Sequence, residues 1–224
     1  MKRKLLAMVL AVSMTCGVTA GSSMIGFAEE TEVVTEAATE ALTDDAEAAE
    51  ITADPADEDY YPVTVEVYNN ARELVPYTFE KCPEKTLVYG RNNVEIMLAL
   101  GLGDKIEMIT DCGSVKPEYE AEFEKLDQLK NHQDIGYFVK EYALSLEPDM
   151  VIGWYSLFNM EDRMGDVDFW HERNIGTYTS INSVLKDNQS LENEYADIRN
   201  IATIYNKQAE AEKIISEIEE GVEK

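Results

Sequence analysis

Arg91 stands in the loop Gly90-Arg91-Asn92-Asn93, directly behind the apolar run Thr86-Leu87-Val88-Tyr89. A planar guanidinium can hold a carboxylate or other oxyanion through two parallel hydrogen bonds. In a chain of formal net charge −26, an Arg at such a loop is a candidate anion anchor, with Asn92 beside it. The competing reading is a solvated Arg paired with a neighbouring acid. Trp154 and Tyr155 follow a second apolar run, Met150-Val151-Ile152-Gly153. Aromatic walls suit flat, amphipathic ligands; the alternative is packing on an adjacent helix. Tyr137 and Phe138, in the loop at Gly136, form a similar pair. Ser180 and Asn182 offer donors to a ligand, whereas Tyr178, inside its strand, reads as core. All of this is binding chemistry.

Bond-making chemistry finds little support. Asp111 beside Cys112 hints at a thiol nucleophile, but no His is placed to activate it. His132 and His171 are the only histidines. Neither has a second His or a Cys at ligand spacing, and both are expected at the surface. Direct binding of a bare metal ion is therefore not expected. Gly101-Leu102-Gly103 follows a helix and lacks the third Gly of a dinucleotide loop. No Gly-x-Ser-x-Gly elbow occurs. The chain is read as a non-enzyme without a cofactor.

The elements that must position these residues alternate between strand and helix. Val63, Val65 and Val67 share one face of a half-buried strand. Asn69-Asn70 turns it toward a second strand over 72–79. Buried strands are expected at 86–89, 105–110, 150–152 and 175–179, with helices at 94–100, 118–129, 141–146 and within 160–174. Asn93 is expected to cap the first helix, with Glu95 as a surface acid in its first turn. Pro148 closes a helix and forces Glu147 out of helical geometry. The order β-loop-α predicts an α/β fold: an open, mainly parallel sheet with helices on both faces, plus a small N-terminal hairpin. Ligands of such sheets sit beyond the carboxyl ends of the strands. Helical spacing from Leu191 to Ile218 predicts one long helix, kinked near Asn206. No turn, cap or strand follows before Lys224, so the chain is expected to be a fragment.

Composition sets the remaining bounds. Lys2-Arg3-Lys4, the apolar stretch Leu5–Met14 and Gly26-Phe27-Ala28 read as a signal peptide over 1–28. Lipid attachment at Cys16 is the rival; Ser13-Met14-Thr15 fits a lipobox poorly. Residues 29–59 hold no Lys or Arg and many Glu, Asp, Thr and Ala, the composition of a disordered acidic tether. Both features point to export and a place outside the cell or at its surface. The acidity argues against nucleic acid. Cys82 precedes one strand and Cys112 follows the next, so both are expected to be free.

Several of these runs resemble one family in order and spacing. The hairpin, the strand 86–89 and Val94-Glu95-Ile96-Met97-Leu98-Ala99-Leu100-Gly101 look like the opening of iron-siderophore and cobalamin binding proteins of ABC importers. Ile135-Gly136, Glu141 and Leu146-Glu147-Pro148-Asp149-Met150-Val151-Ile152-Gly153 resemble the next segment. Phe169-Trp170 through Ile175-Gly176-Thr177-Tyr178 resembles the one after, and 190–217 is similar to the helix joining the family's two lobes. The resemblance implies an N-terminal substrate-binding lobe over 60–183, an interlobe helix over 184–224 and an absent second lobe. It implies capture of a ferric siderophore (haem or cobalamin being open) and delivery, as a monomer, to a membrane permease. It also implies that Glu141 docks on that permease, with Glu95 a second candidate. The other functional class is a cell-surface adhesion or interaction module with no small ligand.

Overall fold

Val65 and Val67 are buried while Thr64 and Glu66 face solvent, and this alternation makes Val63–Tyr68 (β1) a strand with one wet face. It pairs antiparallel with Leu74–Phe79 (β2). The computed structural model describes residues 59–126, 139–159 and 164–222, which lie in one compact unit. The signal peptide, Cys16, the acidic tether except Asp59, the extended piece at Ile135-Gly136, His132, Tyr137 and Phe138 lie outside the described residues.

Four short apolar strands follow: Thr86–Tyr89 (β3), Ile106–Thr110 (β4), Met150–Gly153 (β5) and Gly176–Thr179 (β6). They form a parallel sheet in the order β4-β3-β5-β6. Helices Arg91–Ala99 (α1), Glu120–Phe123 (α2), Lys140–Ser145 (α3), Tyr155–Phe158 (α4), Val167–His171 (α5) and Ile181–Val184 (α6) fall between or after the strands. Leu191–Ile204 (α7) and Gln208–Val222 (α8) complete the described fold. Alternate strand residues feed two cores. Val88, Ile109, Ile152 and Tyr178 pack with α1, α7, α8 and the hairpin. Leu87, Tyr89, Met108 and Val151 pack on the other face with Ala143, Leu157, Phe158 and Trp170. The sheet is thus covered on both sides, which is why its strands are nearly continuous apolar runs.

Helix ends follow local chemistry. Glu147 takes φ 53° ahead of Pro148 and α3 stops. Asp166 caps α5 by accepting from Phe169 N at 2.8 Å. Two expectations need correction. Asn93 is not a cap: Gly90, at φ 91°, turns the chain straight into α1, and Asn93 is buried inside the first turn. The stretch expected as one kinked helix is two helices folded back on each other. Asn206 takes φ 54° and ends α7, and the Arg199–Glu212 ion pair at 2.7 Å closes the hairpin. Thirteen residues of unbroken helix would hold those two about 20 Å apart. The cause is apolar: Ala211, Ile215 and Ile218 find a core on the same side of the sheet as Ile198 and Ile201.

The α7–α8 turn sits at the amino-terminal edge of the sheet. Tyr205 Oη shares a hydrogen bond of 2.5 Å with Thr86 Oγ1, at the start of β3. Tyr60 and Tyr61 donate to the carbonyls of Thr203 and Ile204 at 2.6 and 2.7 Å, satisfying acceptors that the end of a helix leaves open. Among the described residues no helix is long and apolar enough to cross a membrane.

Candidate ligand site at the carboxyl rim

Because β3, β4, β5 and β6 run parallel, the residues after Tyr89, Thr110, Gly153 and Thr179 all lie on one edge of the sheet. The chain leaves β3 for β4 on one side and reaches β5 on the other, so strand order reverses between β3 and β5. A crevice opens at such a switch point in open α/β sheets. Gly90-Arg91-Asn92 lies on its β3 side and Trp154 on its β5 side.

One hydrogen bond spans the crevice: Trp154 Nε1 donates to Asn92 Oδ1 at 2.7 Å. The indole also meets Tyr89 edge-on, with ring centroids 5.6 Å apart. Gly90 gives it room, since a Cβ there would fall 3.0 Å from Trp154 Cε2. Beneath this pair the rim is stitched by buried polar groups. Asn93 Nδ2 donates to the Tyr89 carbonyl at 2.8 Å, and Ser180 Oγ donates to Asn93 Oδ1 at 2.8 Å. Gly90 N donates to the Thr110 carbonyl and Ser180 N to that of Gly153, both at 3.0 Å. Four strand ends and α1 are therefore held in one arrangement. Arg91 projects from the first turn of α1 with its side chain 58% exposed.

The structure brings Arg91, Asn92 and Trp154 together and removes other candidates. Tyr155 is buried: its hydroxyl donates to the Asn70 carbonyl at 2.8 Å, Arg72 lies 4.8 Å over its ring, and its backbone N–H is taken by Ser183 Oγ. It docks the β1–β2 turn and lines no cleft. Ser180, 2% exposed, is spent on Asn93. Asn182 ties α6 to the start of α7 through Ser190. Glu95 is not a surface acid. It is 3% exposed, lies one turn beyond Arg91 and faces Lys116, so an external partner cannot reach it. Glu141 is exposed in the first turn of α3.

His171 is half-buried rather than superficial. Its Nε2 meets Thr177 Oγ1 at 2.9 Å, its ring lies 4.2 Å from that of Tyr77, and burial lowers its pKa against a smaller opposing effect of Asp168. Cys82 and Cys112 are free and lie at opposite ends of neighbouring parallel strands. Burial, with the charge of Glu95 behind it, pushes the Cys112 thiol up to about 11, so thiolate chemistry there is suppressed. Among the described residues no three His, Cys, Asp or Glu side chains are grouped to hold a metal ion.

One group of consequence escapes sequence reading. Asp197, in α7, is wholly buried. It accepts from Tyr178 Oη at 2.7 Å and from Ile181 N at 3.0 and 3.2 Å. Asn200 in turn donates to Tyr178 Oη at 3.1 Å. Burial pushes Asp197 up to about 7; its two hydrogen-bond donors pull the other way and Glu194 adds to the rise. In the sequence Asp197 looks like one more acid on an acidic helix. Only its place in the apolar period beside Ile198 and Ile201 marks it.

No protein-family model and no curated protein matches this sequence. Solved structures do. A periplasmic binding protein from Veillonella parvula is similar at 29% identity and a TM-score of 0.65, covering 72% of this chain and 51% of that one. An ABC-type Fe3+-hydroxamate transport system protein from Saccharomonospora viridis matches at 18% identity and a TM-score of 0.51, covering 70% and 53%. The heme binding protein HmuT matches at 20% identity and a TM-score of 0.50, covering 77% and 49%. The chain spans about half the length of the solved structures it matches.

Proposed function

We propose that this chain, which has the fold of the periplasmic binding proteins, is the N-terminal lobe of an exported solute-binding component of an ABC importer, and that its cargo is chelated iron, a ferric siderophore first. The observation that carries this reading is the rim. Four parallel strand ends meet at a switch point whose two sides are joined by Asn92 and Trp154, with the exposed Arg91 guanidinium beside them. The site offers one flat aromatic surface and one forked cation, the pair of contacts that a rigid, anionic, partly apolar chelate requires. The role of the rim in this reading is to hold and release its ligand, and the raised Cys112 thiol beside it is poorly suited to nucleophilic attack. The residues before Tyr60 act as leader and tether. The return of α8 carries the chain back toward the rim: Ile214 approaches Glu95 and Ala99, and the charge of Glu217 reaches Tyr119.

Binding is read by titrating the protein with ferric citrate and following tryptophan emission and melting temperature. Quenching and a raised Tm are expected, with Arg91→Ala weakening the apparent Kd about tenfold or more, as befits loss of a charge-assisted bidentate contact. Equal affinities in wild type and Arg91→Ala would remove Arg91 from the site. Docking is placed on Glu141, where an exposed carboxylate gives steering and register more than affinity. Glu141→Arg is expected to impair permease-dependent uptake by whole cells while leaving the ferric citrate titration unchanged; normal uptake would take Glu141 out of the interface.

A further inference from the structure

Glu95 joins two rim elements that are 21 residues apart. Its Oε1 accepts from Lys116 N at 3.0 Å, on the loop that leaves β4. Its Oε2 lies 3.4 Å from Lys116 Nζ, an ammonium with no hydrogen-bond partner, and Oε1 lies 3.8 Å from Arg91 Nε. A carboxylate 3% exposed is costly unless paired. Here it faces two cations, so the cluster carries one surplus positive charge. Lys116 is largely covered, and Arg91 is the member that reaches solvent. The approach is an ion pair at 3.8 Å without a hydrogen bond, made on the side of Nε, the inner nitrogen of the guanidinium, so the forked end is not used by it. The other acids on the β4 exit segment, Asp111 and Glu118, are exposed and so are screened by solvent.

We infer that Glu95 is the positioning residue of the rim's anion site: it orients the Arg91 fork for a bidentate oxyanion and anchors the β4 exit loop alongside it. This rests on the solute-capture reading and assigns the ligand contact a carboxylate or similarly forked oxyanion. An unanchored Arg at the start of a helix samples many rotamers, and ordering such a side chain on binding weakens affinity. Glu95 does that ordering in advance.

Glu95→Gln is the informative change, because Gln Oε1 can still accept from Lys116 N while the charge is lost. Ferric citrate titrations of the full chain are compared for wild type, Glu95→Gln, Arg91→Ala and the double variant. Glu95→Gln is expected to weaken binding roughly fivefold, the upper range for a partly exposed ion pair. The double variant is expected to bind no worse than Arg91→Ala alone, since Glu95 acts through Arg91. A purely structural Glu95 would add its full penalty in the double variant, and a Glu95 that merely quenches Arg91 would make Glu95→Gln bind more tightly; either result overturns the inference. A second readout needs no ligand. The Arg91 Nε resonance should be displaced from that of a solvated arginine in wild type, by the nearby carboxylate charge, and return toward it in Glu95→Gln. If wild type ignores ferric citrate, the capture reading falls. A resonance that Glu95→Gln releases would still support the positioning role, and an unmoved one overturns it.

Discussion

Asp197→Asn should abolish a decline in stability that the wild-type protein undergoes between about pH 4 and pH 7. The carboxyl titrates at 3.8 in its ordinary state and at about 7 in the fold, where burial opposes its charge. Below 3.8 it is protonated in both folded and unfolded chains. Between the two values the folded protein keeps a proton that the unfolded chain has released, so stability falls as pH rises. Above about 7 both forms are ionised and the loss is complete. A displacement of this size corresponds to roughly 4 kcal/mol across the window. Asn cannot ionise, yet its Oδ1 still accepts from Ile181 N and Tyr178 Oη. The difference in unfolding free energy between variant and wild type is measured by urea denaturation at about pH 4, 5.5 and 7.5. It should grow steadily in favour of the Asp197→Asn variant. A difference that stays flat with pH would show that Asp197 is not the titrating group. The neighbours that set this behaviour are Tyr178 from β6, Asn200 and Glu194 from α7, and the first backbone N–H of α6.

The second large effect belongs to Gly90→Val. Gly90 takes φ 91° and ψ 140°, a region that side chains rarely enter, and strain of this kind costs about 1–3 kcal/mol. Its Cβ would also press on Trp154 at 3.0 Å from Cε2 and 3.1 Å from Nε1. Relieving that contact means swinging the indole away from Asn92 and from Tyr89. Stability is expected to drop by about 2–5 kcal/mol when strain and overpacking are combined. The tryptophan response to ferric citrate should disappear under conditions where circular dichroism shows the variant still folded. A Gly90→Val protein that retains wild-type stability and quenching would mean that the Asn92–Trp154 bridge is not the wall of the site.

Strand positions were the most legible part of this chain. Thr86–Tyr89 and Met150–Gly153 are short apolar runs bounded by Pro, Gly or charged residues, and a strand covered on both faces has no other pattern to show. The rim followed from them, because parallel order puts every exit loop on one edge. What sequence could not show was which rim side chains remain available. Arg91 and Trp154 stay partly open, whereas Tyr155, one residue along, is drawn under the hairpin by the Asn70 carbonyl, 85 residues earlier. Glu95 reads as a helix-start acid because Gly90 conceals the true start of α1; its partner Lys116 lies beyond a whole strand. The fold-back at Asn206 was hidden for a related reason. Two amphipathic helices sharing one core carry the same periodicity as a single long one, and only a left-handed Asn separates them.

The two tyrosines just ahead of the hairpin decide where a load on this end of the chain is felt. Tyr60 and Tyr61 moor the incoming polypeptide to the end of α7, across the sheet from Trp154. A pull on the chain at Tyr60 would first strain two phenol hydroxyls and the helix end they cap, with the whole depth of the strands between the disturbance and the Asn92–Trp154 bridge.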